Sequence, residues 1–290
     1  VQPTLEIISN HRDALGEGPW WDTAEQILYW VDSYASRIHA ARLGEGTVAS
    51  LTTPGEIGFA VKTASGGLLA GCRDGLYRNQ TATEGAWQLL WPGDWNPSTL
   101  RVNDGKCDRQ GRLWFGTLHD TESEAIAELY RLNGSEPLSM LDGITVSNGL
   151  GWSPDNRLMY YADSVTHSIM AFDFHPSSGD MRNPRIFATD PGPAQPDGLT
   201  VDADGCVWSA KWDGSKVIRY APDGRIDRTI SMPVSRPTSC MFVGSDLRTL
   251  AITSALPDVP DSEPLAGALF LIDVGVEGLP ETRADVSQIP

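Results

Sequence analysis

The run SNGLGWSPDNRLMYYAD (residues 147–163) contains the pattern on which the fold can be read. A glycine, Gly149, opens an apolar stretch. A polar turn, Pro154-Asp155-Asn156, interrupts it, and a second β-rich stretch, Leu158–Asp163, follows. Turn residues of this kind between two apolar runs signal a β-hairpin. The same design recurs outward in both directions. It begins at LGEGPWW (from Leu15), EIGFAVK (from Glu56), VNDGKCD (from Val102), PDGLTVD (from Pro196) and PTSCMFV (from Pro237). The anchors are Gly18, Gly58, Gly105, Gly149 and Gly198, with Ser239 in the sixth place, spaced roughly 40 to 49 residues apart. After each anchor come a polar turn, a second strand (ILYWVD, LLAGC, RLWFGT, LMYYAD, CVWSAK, TLAITS) and a third (RIHAA, GLYR, ELYRL, SIMAFDF, KVIRY, ALFLID). The fourth is the least patterned, as an outer edge should be.

Six such units predict an all-β chain, a six-bladed β-propeller with four-stranded blades around a central channel, with residues 1–290 as one domain. A parallel β-solenoid is the rival, but its rungs are much shorter than these repeats. No sustained 3.6-residue apolar period occurs, so little helix is expected. The strand-like Leu5-Glu6-Ile7-Ile8 is expected to join the last blade and fasten the ring.

Composition narrows the function. The formal net charge of −16, with 22 Lys and Arg scattered along the chain, argues against a nucleic-acid partner, which requires a basic face. No run reaches eighteen consecutive apolar residues, so no membrane span is expected. The opening VQPTLEIISN has neither the basic flank nor the apolar run of a secretory leader, and a cytoplasmic protein is expected. Cys72, Cys107, Cys206 and Cys240 never form a CxxC pair and read as free buried thiols. A closed ring with charged edges favours a monomer.

Polar residues stand where a structural strand would not place them. The residue before each anchor is Glu17, Ile57, Asp104, Asn148, Asp197 and Thr238. In a propeller these positions converge on the axis. Taken singly, Asp-Gly or Asn-Gly is an ordinary turn dipeptide. Acidic or amide side chains in one slot of four blades instead suggest a cation, because crowded carboxylates repel and are costly to desolvate. A site of oxygen donors alone suits a hard ion such as Ca²⁺, Mg²⁺ or Mn²⁺. There is no GxSxG elbow and no P-loop. The five histidines form no HExxH or HxH pair; His39 and His167 read as structural, and His119, in FGTLHD, is placed to reach a channel mouth. Trp20, Trp21, Trp152 and Trp212 read as blade core rather than as a sugar-binding wall.

LGEGP at Leu15–Pro19, RVNDGKCD at Arg101–Asp108, RLWFGT at Arg112–Thr117, SNGL at Ser147–Leu150 and PDGL at Pro196–Leu199 occur in order at this spacing. PTSCMF (from Pro237) and AGALF (from Ala266) follow. Together they resemble the gluconolactonase, regucalcin and senescence-marker-protein family of sugar lactone hydrolases, over nearly the whole chain. The resemblance implies one divalent cation held by Glu17, Asn148 and Asp197. Ca²⁺ is favoured; Zn²⁺, Mn²⁺, Mg²⁺ and Fe²⁺ are alternatives. It implies hydrolysis of a sugar lactone to the sugar acid, with the metal polarising the carbonyl and Asp197 as general base. Whether Asp197 or a metal-bound hydroxide is the effective base stays open. It also gives substrate contacts to Arg101 and Asn103, where register alone would favour Asp104; His119 is added as a further candidate contact. Animal members carry an acidic pair after GTM; here the run is GTLHDTE, closer to bacterial sugar lactonases. A phosphotriesterase-like hydrolase and a non-catalytic calcium-binding propeller remain alternatives. A WD40-type scaffold lacks support, since no GH…WD signature occurs.

Overall fold

The computed structural model describes residues 4–82, 84–134, 136–256 and 263–287. They form six four-stranded antiparallel sheets arranged as a propeller. The innermost strands are Gly16–Asp22, Ile57–Lys62, Leu100–Cys107, Ser147–Trp152, Gln195–Val201 and Pro237–Val243, in blades 1 to 6. Each begins at one of the repeats found in the sequence. Among the described residues the one helical turn is Ser164–Thr166, and none is long and apolar enough to cross a membrane. Glu6–Ile7 pairs with Phe270–Asp273 and supplies the outer strand of blade 6, fastening the ring as expected.

The outer strands are the most exposed. Asp180–Thr189 and Ile226–Ser231 carry mostly solvent-facing side chains, which is why their sequences show little apolar pattern. The core is a series of wedges between neighbouring blades. One joins Trp20 and Tyr29 of blade 1, Phe59 and Leu69 of blade 2, and Phe115 of blade 3. Others fill the remaining gaps around the ring, each with a buried aromatic such as Trp114, Tyr160, Trp208 or Trp30. All four cysteines are free and buried.

Every innermost strand breaks its ladder at the anchor. Pairing jumps from Val102↔Thr117 to Gly105↔Phe115, and from Pro196↔Lys211 to Leu199↔Ser209, with equivalent shifts in the other four blades. These are β-bulges, in which two residues occupy the place of one. They fall where the strands crowd the axis. A β-carbon at Gly149 would lie 2.6 Å from the Asp197 carbonyl oxygen, and at Gly58 or Gly198 it would run into Asn103 or Ser239.

The C-terminal segment crosses the end of the channel where the innermost strands finish. Ala203 N donates to Glu277 O (2.9 Å), Arg283 reaches Asp22 (2.6 Å), and Ala284 N donates to Lys62 O (2.8 Å). The segment thus touches blades 5, 1 and 2 as it crosses.

Gly58→Ala is expected to destabilise the protein by about 1–3 kcal/mol or more, since its new methyl meets backbone that cannot rotate away. Chemical denaturation of the variant beside wild type measures this; an unchanged midpoint would show that the hub has room to spare.

Candidate functional site

A cavity of about 100 Å³ opens at the other end of the channel, where the innermost strands start. Its lining includes Glu17, Arg101, Asn103, Asn148 and Asp197. Five of the six site residues read from the sequence therefore share one cavity, although blades 1, 3, 4 and 5 contribute them. The ends of the second strands complete the wall, because in an antiparallel blade they lie beside the starts of the first: Leu118 and Trp212 come from there, and Ser164 from the helical turn just after one.

The carboxylates are held by the bulges themselves. Glu17 Oε2 accepts from Gly18 N (3.0 Å), Asp104 Oδ1 from Gly105 N (2.7 Å), and Asp197 Oδ1 from Gly198 N (3.0 Å). Gly18 and Gly198 lie within their bulges and lack a regular ladder partner, so the preceding acid satisfies the amide; Gly105 stands just past its bulge, opposite Phe115. One oxygen of each carboxylate is thereby committed to the backbone, and Asp197 is also hydrogen-bonded by the Asn148 side chain. Asn148 Nδ2 donates to Ser164 Oγ (3.0 Å), which donates to Pro196 O (2.8 Å). With its nitrogen so engaged, Oδ1 is the atom of Asn148 available for coordination. Asn103 Nδ2 donates to Ser147 O (2.8 Å), tying blade 3 to blade 4.

Burial pushes the Glu17 carboxyl from 4.5 up to about 8; repulsion from Asp104 adds to this, and the Arg101 guanidinium offsets little of it. Asp197 is pushed well above the ordinary carboxylate value by burial and then by Glu17 and Asp104. Glu17 keeps some accessible surface because it faces the cavity, yet it lies deep in the hub. The protein's own cations therefore do not neutralise this group of acids. Carboxyl and amide oxygens crowded in a desolvated site, costly to ionise without a cation, fit a hard divalent ion, and Glu17, Asn148 and Asp197 would hold it.

Arg101 is buried and constrained at the rim. Its Nη1 donates to Asn103 Oδ1 (3.3 Å), and its Nε lies 3.6 Å from Asp120 Oδ1. Asp120 is itself paired with Arg73 at 2.7 Å. Asp104 does not line the cavity. The bulge explains why alternation could not separate it from Asn103: residues 103 and 104 together occupy one ladder position. His119 is not brought to the cavity either. It is buried, with Nδ1 3.2 Å from Thr121 Oγ1 and accepting from Ser123 N (3.3 Å). It braces the turn that carries Glu122, which does line the wall.

Tyr34, Glu122, Ser164 and Gln195 line the cavity without having been singled out in the sequence. Gln195 stands two residues before Asp197 on the same strand, so side-chain alternation was a usable signal. Tyr34 and Glu122 lie in loops whose course no periodicity reports. Trp20, Trp21 and Trp152 are blade core, whereas Trp212, expected there too, is half-buried and on the cavity wall.

Fold and site together define a six-bladed propeller whose polar axial cavity is built from the blade starts. Within that class, the profile of the SMP-30/gluconolactonase/LRE-like region matches residues 15–256, and the chain belongs to that family. It is 34% identical to the 6-deoxy-6-sulfogluconolactonase of Pseudomonas putida, covering 97% of this chain and 98% of that one. With the L-arabinolactonase of Azospirillum brasilense it shares 32% identity over 96% and 94% of the two chains. A solved structure of regucalcin from Agrobacterium tumefaciens, described as a calcium-binding protein, matches with a TM-score of 0.92 at 25% identity, covering 97% of each chain.

The raised Glu17 value has a definite consequence for metal-free protein. Between pH 4.5 and about 8 the folded state holds a proton that the unfolded chain has released, so stability falls as pH rises through that window. In chelator, Glu17→Gln should remove part of this decline, on the order of 3 kcal/mol by pH 8. Denaturant midpoints across the range test it; identical slopes for variant and wild type would contradict the assignment.

Proposed function

We propose that the protein hydrolyses a sugar lactone to the corresponding sugar acid, using a divalent cation held by Glu17, Asn148 and Asp197. The observation that carries this reading is the convergence of two poorly neutralised buried carboxylates, an amide, Arg101 and Asn103 in one axial cavity. Membership in the family, with relatives named as lactonases, gives the reaction class: hydrolysis of a carboxylic ester bond.

A bound ion would polarise the lactone carbonyl and stabilise the charge that develops on it. Asp197 takes a proton from the attacking water and returns it to the ring oxygen as the C–O bond breaks. Burial raises its basicity and coordination lowers it, and the two effects oppose each other near neutral pH. Arg101 and Asn103 hydrogen-bond substrate oxygens. Arg101 offers a rigid fork of donors, and Asp120 keeps that fork oriented at the rim. Tyr34, Gln195 and Glu122 add hydrogen-bonding groups for hydroxyls, and Trp212 offers a partly apolar surface to a sugar ring. His119 acts through the turn it braces. An aldonolactone of five or six carbons is the substrate class; Ca²⁺ is the favoured ion.

A pH-stat assay over a panel of sugar lactones, before and after chelation, tests the reading. Chelation should abolish turnover and re-addition of Ca²⁺ should restore it. Asp197→Asn should lower kcat by about 10²–10⁴-fold, and Arg101→Ala should act mainly on KM. Turnover indifferent to both chelation and Asp197→Asn would refute the mechanism. An organophosphate run in parallel separates phosphotriester chemistry, and ion-dependent stabilisation without turnover on any lactone would indicate a calcium-binding role.

A further inference from the structure

One cluster of imidazole and carboxylate groups has no part in the axial cavity. His11, Asp13 and His39 bring three potential ligand atoms within 4.8 Å of one another. His11 Nε2 lies 2.8 Å and His39 Nε2 3.2 Å from Asp13 Oδ1. Asp13 and His39 are almost wholly buried, at 2% and 1% exposure, while His11 reaches solvent at 35%.

His39 was expected to be structural, yet its packing leaves it incomplete. Its Nε2 is buried without a hydrogen-bond partner, because the approach to Asp13 lacks hydrogen-bond alignment. The atoms around it are already engaged. Trp30 Nε1 donates to Asp13 Oδ2 (2.9 Å), and His39 Nδ1 lies 2.8 Å from Ser50 Oγ. With Nδ1–H donating to Ser50, a neutral His39 carries its lone pair on Nε2. That is the usual arrangement of a metal-bound histidine, whose second nitrogen is fixed by an outer partner. Asp13 is likewise held by one oxygen, with Oδ1 turned to both imidazoles.

We infer that His11, Asp13 and His39 form a second metal site, distinct from the axial one and suited to Zn²⁺ or a similar borderline ion. Two imidazoles and a carboxylate select such ions over Ca²⁺. A tetrahedral ion with bonds of about 2.0–2.1 Å spaces its ligands about 3.3 Å apart. The observed separations from Asp13 require only a slight opening. Three protein ligands leave a fourth position for water on the exposed His11 side.

The location implies a clasp. Asp13 N donates to Gly267 O (2.8 Å), in the segment leading to the third strand of blade 6. Trp30 and His39 belong to the second and third strands of blade 1. Gly16 permits this packing: a β-carbon there would lie 2.9 Å from Asp13 Oδ2. A bound ion would pin the chain between the ring-closing strand and blade 1 at the junction where the propeller shuts.

The test uses chelator-stripped full-length protein. Asp197→Asn, which weakens the axial site, should still bind one Zn²⁺ per chain by equilibrium dialysis in the presence of Ca²⁺. Adding His11→Ala should weaken that binding at least tenfold. His11→Ala alone should leave Ca²⁺-supported lactone turnover at the wild-type level. Co²⁺ added to Ca²⁺-saturated wild type should give the visible absorption of a four-coordinate site, which provides a readout independent of any variant. Zinc binding unchanged by His11→Ala, or the absence of a four-coordinate cobalt signal in wild type, would overturn the proposal and leave a hydrogen-bonded brace.

Discussion

The innermost strands approach one another so closely at the axis that there is no room for a β-carbon at Gly58, Gly149 or Gly198. Bulges accommodate this crowding and remove the anchor amides from the regular ladder. An acid just before the anchor can take up the freed amide, as Glu17 and Asp197 do, and Asp104 holds the Gly105 amide just past its own bulge. The geometry that closes the ring thus also gathers negative charge at its centre. Packing and site are one construction, and a change to an anchor acts on both.

Much of this was legible because the repeat is written in residue types with steric reasons behind them. An anchor, glycine in five of the six places, followed by a turn and an apolar strand, recurs six times, and spacing alone then fixes blade number and the inner ring. The outer strands were less legible because, with one side in solvent and few partners beyond, they need little apolar pattern; Asp180–Thr189 shows this plainly. Within the site, what lay on the strand starts could be read. What depended on loop paths, such as Tyr34 and Glu122, could not. Asn103 and Asp104 mark the boundary between these cases: a bulge suspends the two-residue alternation from which a side chain's direction is inferred, and only the family resemblance separated them.

The two ends of the channel differ in their electrostatics. Asp104 is pushed up by burial, opposed by Lys106 and reinforced by Glu281. Lys106 Nζ donates to Leu199 O (3.0 Å) and lies 3.5 Å from Glu281, on the C-terminal segment that crosses one end. Asp104 therefore has a cation on the side of the C-terminal segment. Glu17 and Asp197 have no comparable partner beside them, and Arg101 at the rim is shared with Asp120. The carboxylates that lack a compensating cation thus lie where the cavity opens. On the proposed reading, a cation arriving from solvent would meet these carboxylates directly, and a neutral lactone would reach the ion from the same side. On the same reading, substrate oxygens would meet Arg101 and Asn103 at the rim before the carbonyl came to the ion.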